Sequence, residues 1–187
     1  MVEQTRRLRA DAVDNEKRLL DAAALVFAAG GESTLKAVAK AAGVGIGTLY
    51  RRFPTREHLV EAVYRNESAR LCASAANLLG ERSAVDALRD WMGRFVDYIS
   101  TKNGMADSLH AVLSADDELR LHTRAMLAEA IATIMQAGVA QGTIRADLDP
   151  QDVMMSLGGI TLITAHEGQR ELADRLIDIL VDGLRIR

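Results

Sequence analysis

Residues 35–54 constrain this 187-residue chain more tightly than any other stretch. Two helix-forming runs of about two turns each, Leu35 to Ala42 and Ile46 to Phe53, are separated by Gly43 and stopped by Pro54. Helices this short do not persist alone in water, because nucleating a helix costs more than so few hydrogen bonds return. They must dock on each other across the glycine turn and lean on something longer, which is the sequence form of a helix-turn-helix. Ser33 and Thr34 are N-cap candidates for the first run. Ala39 and Gly43 keep the crossing point small, and Val38, Val44 and Leu49 point into a shared core.

The longer brace lies upstream. Leu20, Ala23, Ala24 and Phe27 recur at i, i+3, i+4 and i+7, which predicts a helix from Asn15 to Ala29 with one buried stripe, closed by Gly30-Gly31. Downstream, Thr55 caps a helix over Arg56 to Leu79 that has Glu57 in its first turn, where the helix dipole favours an acid. Ser83 with Asp86 opens another to Ser100. Further helices are predicted over Met105 to Leu113, Asp116 to Ala140, Pro150 to Ala165 and Glu171 to Arg185, with Asp149-Pro150 a strong start signal and Gly142 to Asp149 a polar loop. The expectation is an all-α chain of nine helices. Two prolines and 4% aromatic residues agree with it. The chain divides into an N-terminal arm and helix-turn-helix domain over 1–56 and a helical domain over 57–187, joined by the helix 56–79.

Several function classes are disfavoured. No apolar run approaches ~18 residues and the start of the chain is polar, so no membrane partner and a cytoplasmic location are expected. A single cysteine, Cys72, rules out an internal disulfide and a multi-cysteine metal site. His110, His122, His166 and Cys72 form no pair at one-turn spacing, so no metal is expected. No nucleophile elbow, phosphate-binding glycine loop or telling carboxylate pair appears, so no catalytic residues, no cofactor and no enzyme are expected. The net charge of −3 is unevenly spread: residues 1–56 hold ten Lys and Arg against six Asp and Glu, and the remainder thirteen against twenty. Any contact with DNA should come from the basic head.

Thr34-Leu35-Lys36-Ala37-Val38-Ala39, then Ala42-Gly43-Val44-Gly45-Ile46-Gly47-Thr48-Leu49-Tyr50-Arg51-Arg52-Phe53-Pro54, then Arg56-Glu57-His58-Leu59, resembles the N-terminal domain of TetR/AcrR-type regulators. The glycine turn, Gly-Thr-Leu-Tyr, the aromatic-Pro pair and the basic-acidic-x-Leu group fall at the family's spacing. The resemblance covers about residues 15–65; beyond it, only helix number and order and a Gly142-x-Ile144-Arg145-x-Asp147 loop are of familiar type. It implies a DNA-binding transcriptional regulator, usually a homodimeric repressor on a palindromic operator, with Thr34, Thr48, Tyr50 and Arg56 as backbone contacts. Arg56 stands where lysine is usual. Gly45 replaces the usual serine, and Ile46 stands where polar residues are frequent, so Ile46 would read methyl groups or shape. The residues themselves suit that role. Gly45 and Gly47 let the backbone approach base edges, Thr48 offers a hydroxyl and a methyl, and Tyr50 puts a hydroxyl within reach of a phosphate. Arg51-Arg52 either grips DNA or faces solvent. Arg6, Arg7 and Arg9 form either a minor-groove arm or a disordered tail.

Residues 84–140 should supply a ligand cavity if the family's logic holds. Trp91, Phe95, Tyr98, Met105, Leu109, His122 and Met126 are its candidate lining, and sparse lysine points to an apolar or weakly polar small-molecule effector. A filled core uses the same residues, so a dimeric DNA-binding protein without an inducer stays open beside it. The last two helices are apolar over too wide an arc for one exposed face each, and Gly158-Gly159 permits close approach. They are the expected homodimer surface.

Overall fold

The computed structural model describes residues 2–29, 33–165 and 169–186, with side chains from Asn15 onward. Among the described residues the chain forms nine helices and no strand: α1 (Val2–Ala28), α2 (Leu35–Ala41), α3 (Ile46–Arg52), α4 (Arg56–Glu81), α5 (Ala84–Gly104), α6 (Ala106–Ala115), α7 (Asp117–Ala140), α8 (Pro150–Ile163) and α9 (Arg170–Leu184). No described helix is long and apolar enough to cross a membrane. The main departure from expectation is α1, which begins at Val2 instead of Asn15. Residues 2–14 contain no Gly or Pro, and eight of the thirteen are Arg, Ala, Glu, Gln or Leu, so propensity carries the helix where no apolar stripe marks it. The side chains of Arg6, Arg7 and Arg9, and residues Gly30, Gly31 and His166, lie outside the described set.

The chain forms two compact units, one from residues 1–67 with 101–116, the other from 68–100 with 117–187. In the first, Leu19, Leu20, Ala23, Ala24 and Phe27 of α1 are buried, as are Val38 and Ala39 of α2 and Leu49 of α3. The Thr34 side chain caps α2 by accepting from the Ala37 N–H at 3.1 Å. Gly43 closes it at φ +67, its N–H donating to Lys40 O and the Val44 N–H to Ala39 O. These two bonds make a Schellman motif, whose left-handed residue is strained for anything but glycine. Residues 101–116 pack into the same unit, with Met105 and Leu109 buried. At the end of α5, Gly104 lies against the backbone of Phe27 so closely that a Cβ would sit 1.8 Å from the Phe27 carbonyl oxygen.

The second unit buries Leu88, Trp91 and Met92 of α5, Ile131 and Ile134 of α7, Leu157 of α8, and Ile177 and Val181 of α9. Asp149 caps α8 by accepting from the Gln151 N–H at 2.8 Å, with Pro150 at the first position, as the sequence predicts. The loop after α7 is less polar in its role than in its composition. Ile144 is 1% exposed. The Arg145 N–H donates to Leu184 O and the Ile186 N–H to Thr143 O, so the loop and the residues after α9 form an isolated antiparallel bridge. By contrast Met155, Leu162 and Ile163 of α8 and Ile179 of α9 are 72%, 78%, 64% and 69% exposed.

Gly104→Ala should be costly although alanine is the better helix former, because the added methyl meets backbone that cannot rotate away. Overpacking of this kind costs about 1–3 kcal/mol. Urea denaturation of the variant should show that loss, and an unchanged midpoint would contradict the close approach.

Candidate nucleic-acid interface

α3 turns nearly all of its surface outward. Its N-cap, Gly45, is extended at φ −68 and ψ 143, and its carbonyl receives the Thr48 and Leu49 N–H groups. Leu49 is the buried residue of the helix; Gly45, Ile46, Gly47, Thr48, Tyr50, Arg51 and Arg52 are exposed. Ile46 and Tyr50, one turn apart, are 42% and 48% exposed. The helix thus anchors through one leucine and leaves seven neighbouring positions facing solvent.

A cleft runs along each flank of α3. On the α2 side, about 630 Å³ of space is lined by Thr34, Leu35, Lys36, Ala39, Lys40, Val44, Ile46, Tyr50 and Arg56. Its floor is apolar, and Lys36 and Lys40 stand exposed on its rim. On the α1 side, about 460 Å³ is lined by Asn15, Glu16, Leu19, Val44, Gly45, Thr48, Arg51 and Arg52. Sequence reasoning missed Lys36 and Lys40. Their i, i+4 spacing on a helix whose other residues are Leu, Ala and Val would have marked one charged edge beside the turn. The Thr34 hydroxyl uses a lone pair in capping α2 and keeps its hydrogen for an outside acceptor.

The two arginines singled out most sharply are placed differently from each other. Arg52, 56% exposed, pairs with the partly exposed Glu16 of α1. Such a pair contributes little and is easily exchanged for another anion. Arg56, expected to hold a phosphate, is engaged within the unit. Its Nε donates to Ser108 Oγ of α6 at 3.0 Å, its Nη2 to Ser33 Oγ at 3.1 Å, and its Nη1 to the Ser33 carbonyl. The guanidinium carbon lies 5.3 Å from the centre of the buried Phe27 ring. Ser33 Oγ in turn donates to the Gly104 carbonyl at 3.4 Å. The planar fork therefore stitches the start of α4 to the α1–α2 corner and to α6. Its five fixed donors explain why arginine serves this position in a way lysine would not.

The candidate effector-lining residues do not all meet in one unit. Met105 and Leu109 belong to the first; Trp91, Phe95, Tyr98, His122 and Met126 belong to the second. Trp91, Phe95 and Tyr98 form a run of rings with centroids 5.8 and 6.0 Å apart. Their polar ends are satisfied from α4: Trp91 Nε1 donates to Leu71 O at 3.0 Å, and Ser68 Oγ donates to Tyr98 Oη at 3.2 Å. Met126 is half-buried and His122 exposed. His122 falls off the expected face because the buried stripe of α7 runs through Leu119, Thr123, Leu127, Ala130 and Ile134. Burial, helped by the nearby Glu129, pushes the Cys72 thiol up to about 11, which disfavours its nucleophilic thiolate at neutral pH. No group of residues suited to holding a metal occurs among the described residues.

Comparison with known proteins matches the two ends of the chain to separate family models. Residues 19–63 match the N-terminal family model of the bacterial regulatory proteins of the tetR family, and residues 83–186 match the SbtR-like transcriptional regulator C-terminal domain. The solved structure of the TetR transcriptional regulator SCO0520 from Streptomyces coelicolor is 45% identical, with a TM-score of 0.83 over 90% of this chain and 97% of that one. A TetR transcription regulatory protein from Mycobacterium vanbaalenii is 30% identical, with a TM-score of 0.76 over 96% of this chain and 99% of that one. The HTH-type transcriptional repressor KstR of Mycobacterium tuberculosis is 38% identical over 74 residues, 38% of this chain, and the matched stretch spans only 31% of that protein's length.

Arg56→Ala should destabilise the first unit, since it removes three hydrogen bonds from a charged group, a kind worth about 1.5–3 kcal/mol each when buried. Part-exposure of this cluster lowers the sum, and we expect a loss of about 2 kcal/mol in chemical denaturation. Arg56→Lys should recover only part of it, because one ammonium cannot reach Ser33 and Ser108 together. Wild-type stability in Arg56→Ala would show the tie to be ornamental.

Proposed function

Because this chain belongs to the TetR family of bacterial regulatory proteins, we propose that it is a homodimeric transcriptional repressor that binds a palindromic operator and is released by a small apolar or weakly polar ligand. The observation that carries the reading is the outward face of α3, with Gly45, Ile46, Gly47, Thr48, Tyr50, Arg51 and Arg52 exposed between two clefts. A helix lying in a major groove about 12 Å wide has a phosphate strand on either side of it. Here each flank offers a cleft with basic residues on its rim. Thr34, Lys36, Lys40 and Tyr50 would take one strand; Thr48 and Arg51 would take base edges or the other, and Arg52 would join them by leaving Glu16. Residues 1–56 are the reading head and 57–187 the effector-binding and dimerisation domain of this scheme. It works in the cytoplasm and catalyses nothing.

The exposed apolar residues of α8 and α9, Met155, Leu162, Ile163 and Ile179, support the homodimer. Two copies pairing these helices would bury a surface too greasy to leave in water, and a two-fold dimer matches a two-fold operator. The ligand would act by binding one of two conformations more tightly, since only differential affinity shifts an equilibrium; such couplings are typically ~1–3 kcal/mol. A second reading, a dimeric DNA-binding protein with a filled core and no inducer, has its own support. Trp91 is fully buried, and the polar ends of Trp91 and Tyr98 are both satisfied internally, which suits packed core better than a cavity wall.

Selection of bound sequences from a random duplex library at near-physiological salt tests the main reading. A palindromic motif is expected; salt-sensitive binding with no enriched sequence would reduce the protein to a non-specific DNA binder. On the selected operator, Lys36→Ala and Lys40→Ala should weaken all sequences alike and lower the salt slope by ~1 for each phosphate left without its lysine, while Arg56→Ala leaves the slope unchanged. Leu162→Glu should shift the protein to monomer in sedimentation velocity and cost operator affinity; a persistent dimer would move the interface elsewhere.

A further inference from the structure

We propose that Ile46 is a specificity-determining residue that reads the 5-methyl group of a thymine in each operator half-site; this rests on the operator reading above. Ile46 is the first residue of α3, and as a large aliphatic side chain it is 42% exposed. Its neighbours make that exposure usable. At both Gly45 and Gly47, a built Cβ would find no heavy atom within 4 Å, so nothing crowds the backbone on either side of the isoleucine. The side chain therefore stands on a bare stretch of chain, at the end of the helix that can come nearest to base edges.

The chemistry of the side chain narrows what it recognises. Isoleucine has no donor or acceptor, so it cannot pair with the N7, O6, N6 or N4 groups that distinguish guanine, adenine and cytosine in the major groove. Thymine alone among the four bases presents a methyl there. An apolar probe in a groove otherwise lined by polar edges gains from that one group and loses wherever it strands a polar edge without a partner. Ile46 and Tyr50 also form one wall of the α2-side cleft, so an alternative use is packing on a deoxyribose. The two uses separate cleanly, because a sugar contact is indifferent to the base methyl.

The test replaces each thymine of the selected operator in turn by uracil, which deletes the methyl and leaves every hydrogen-bonding group in place. Burying one methyl corresponds to about a fourfold change in affinity. We expect about that loss at one thymine per half-site for the wild-type protein and for Ile46→Val, and no loss at the same position for Ile46→Ala, whose fold is checked by circular dichroism. Replacing that thymine by 5-methylcytosine should cost less than replacing it by cytosine. Indifference to methyl removal at every thymine overturns the proposal alone, as does an unchanged methyl dependence in Ile46→Ala. Failure of the library to yield any operator overturns the reading it rests on.

Discussion

Two seven-residue helices, α2 and α3, hold the exposed face that gives the first unit its purpose, and neither has enough hydrogen bonds to stand alone. Their order comes from burial against α1. Val38, Ala39 and Leu49 are sealed, the first and last completely, in a core whose other wall is Leu20, Ala23 and Phe27. The Gly43 turn then fixes how the two cross. The price of this arrangement is dependence: α3 leans on α2, and α2 in turn leans on α1. Phe27 is the far end of that support. It is wholly buried, it lies beneath the Arg56 guanidinium, and its backbone receives Gly104. One residue thus meets the brace, the start of α4 and the end of α5.

Much of this is legible in the amino-acid sequence. The apolar spacing of Leu20, Ala23, Ala24 and Phe27, the cap at Thr34, the break at Gly43 and the Asp149-Pro150 start are local signals, and local signals carry local structure. The exposed residues of α3 are equally readable, since Leu49 alone in that helix is large, apolar and in register with the core. Polar sequence before Asn15 hides a helix, because helix propensity without amphipathic spacing leaves no mark that periodicity detects.

What stays hidden are side-chain destinations that depend on residues far away in the chain. Arg56 sits at a helix N-terminus where a phosphate would be welcome, and nothing near it in sequence announces Ser108, fifty-two positions on. Ile144 reads as part of a polar loop, yet its side chain packs against Gly138 of α7. His122 misses the interior by a fraction of a helical turn, a margin smaller than the width of the apolar arc from which its place is inferred. These destinations stay hidden for one reason: periodicity sets which face a residue occupies and does not say which neighbour arrives there.

The half-buried Cys72 has a use that follows from its protection. Thiol-directed dyes and spin labels react with the thiolate, and a thiol raised to about 11 is ionised in roughly one molecule in ten thousand at pH 7. A cysteine placed on an exposed helix surface would react faster, so labelling would favour a reporter put where it is wanted over the native sulfur. Distance measurements by fluorescence or electron spin resonance could then start from the natural sequence, with the added cysteine as the favoured site of labelling.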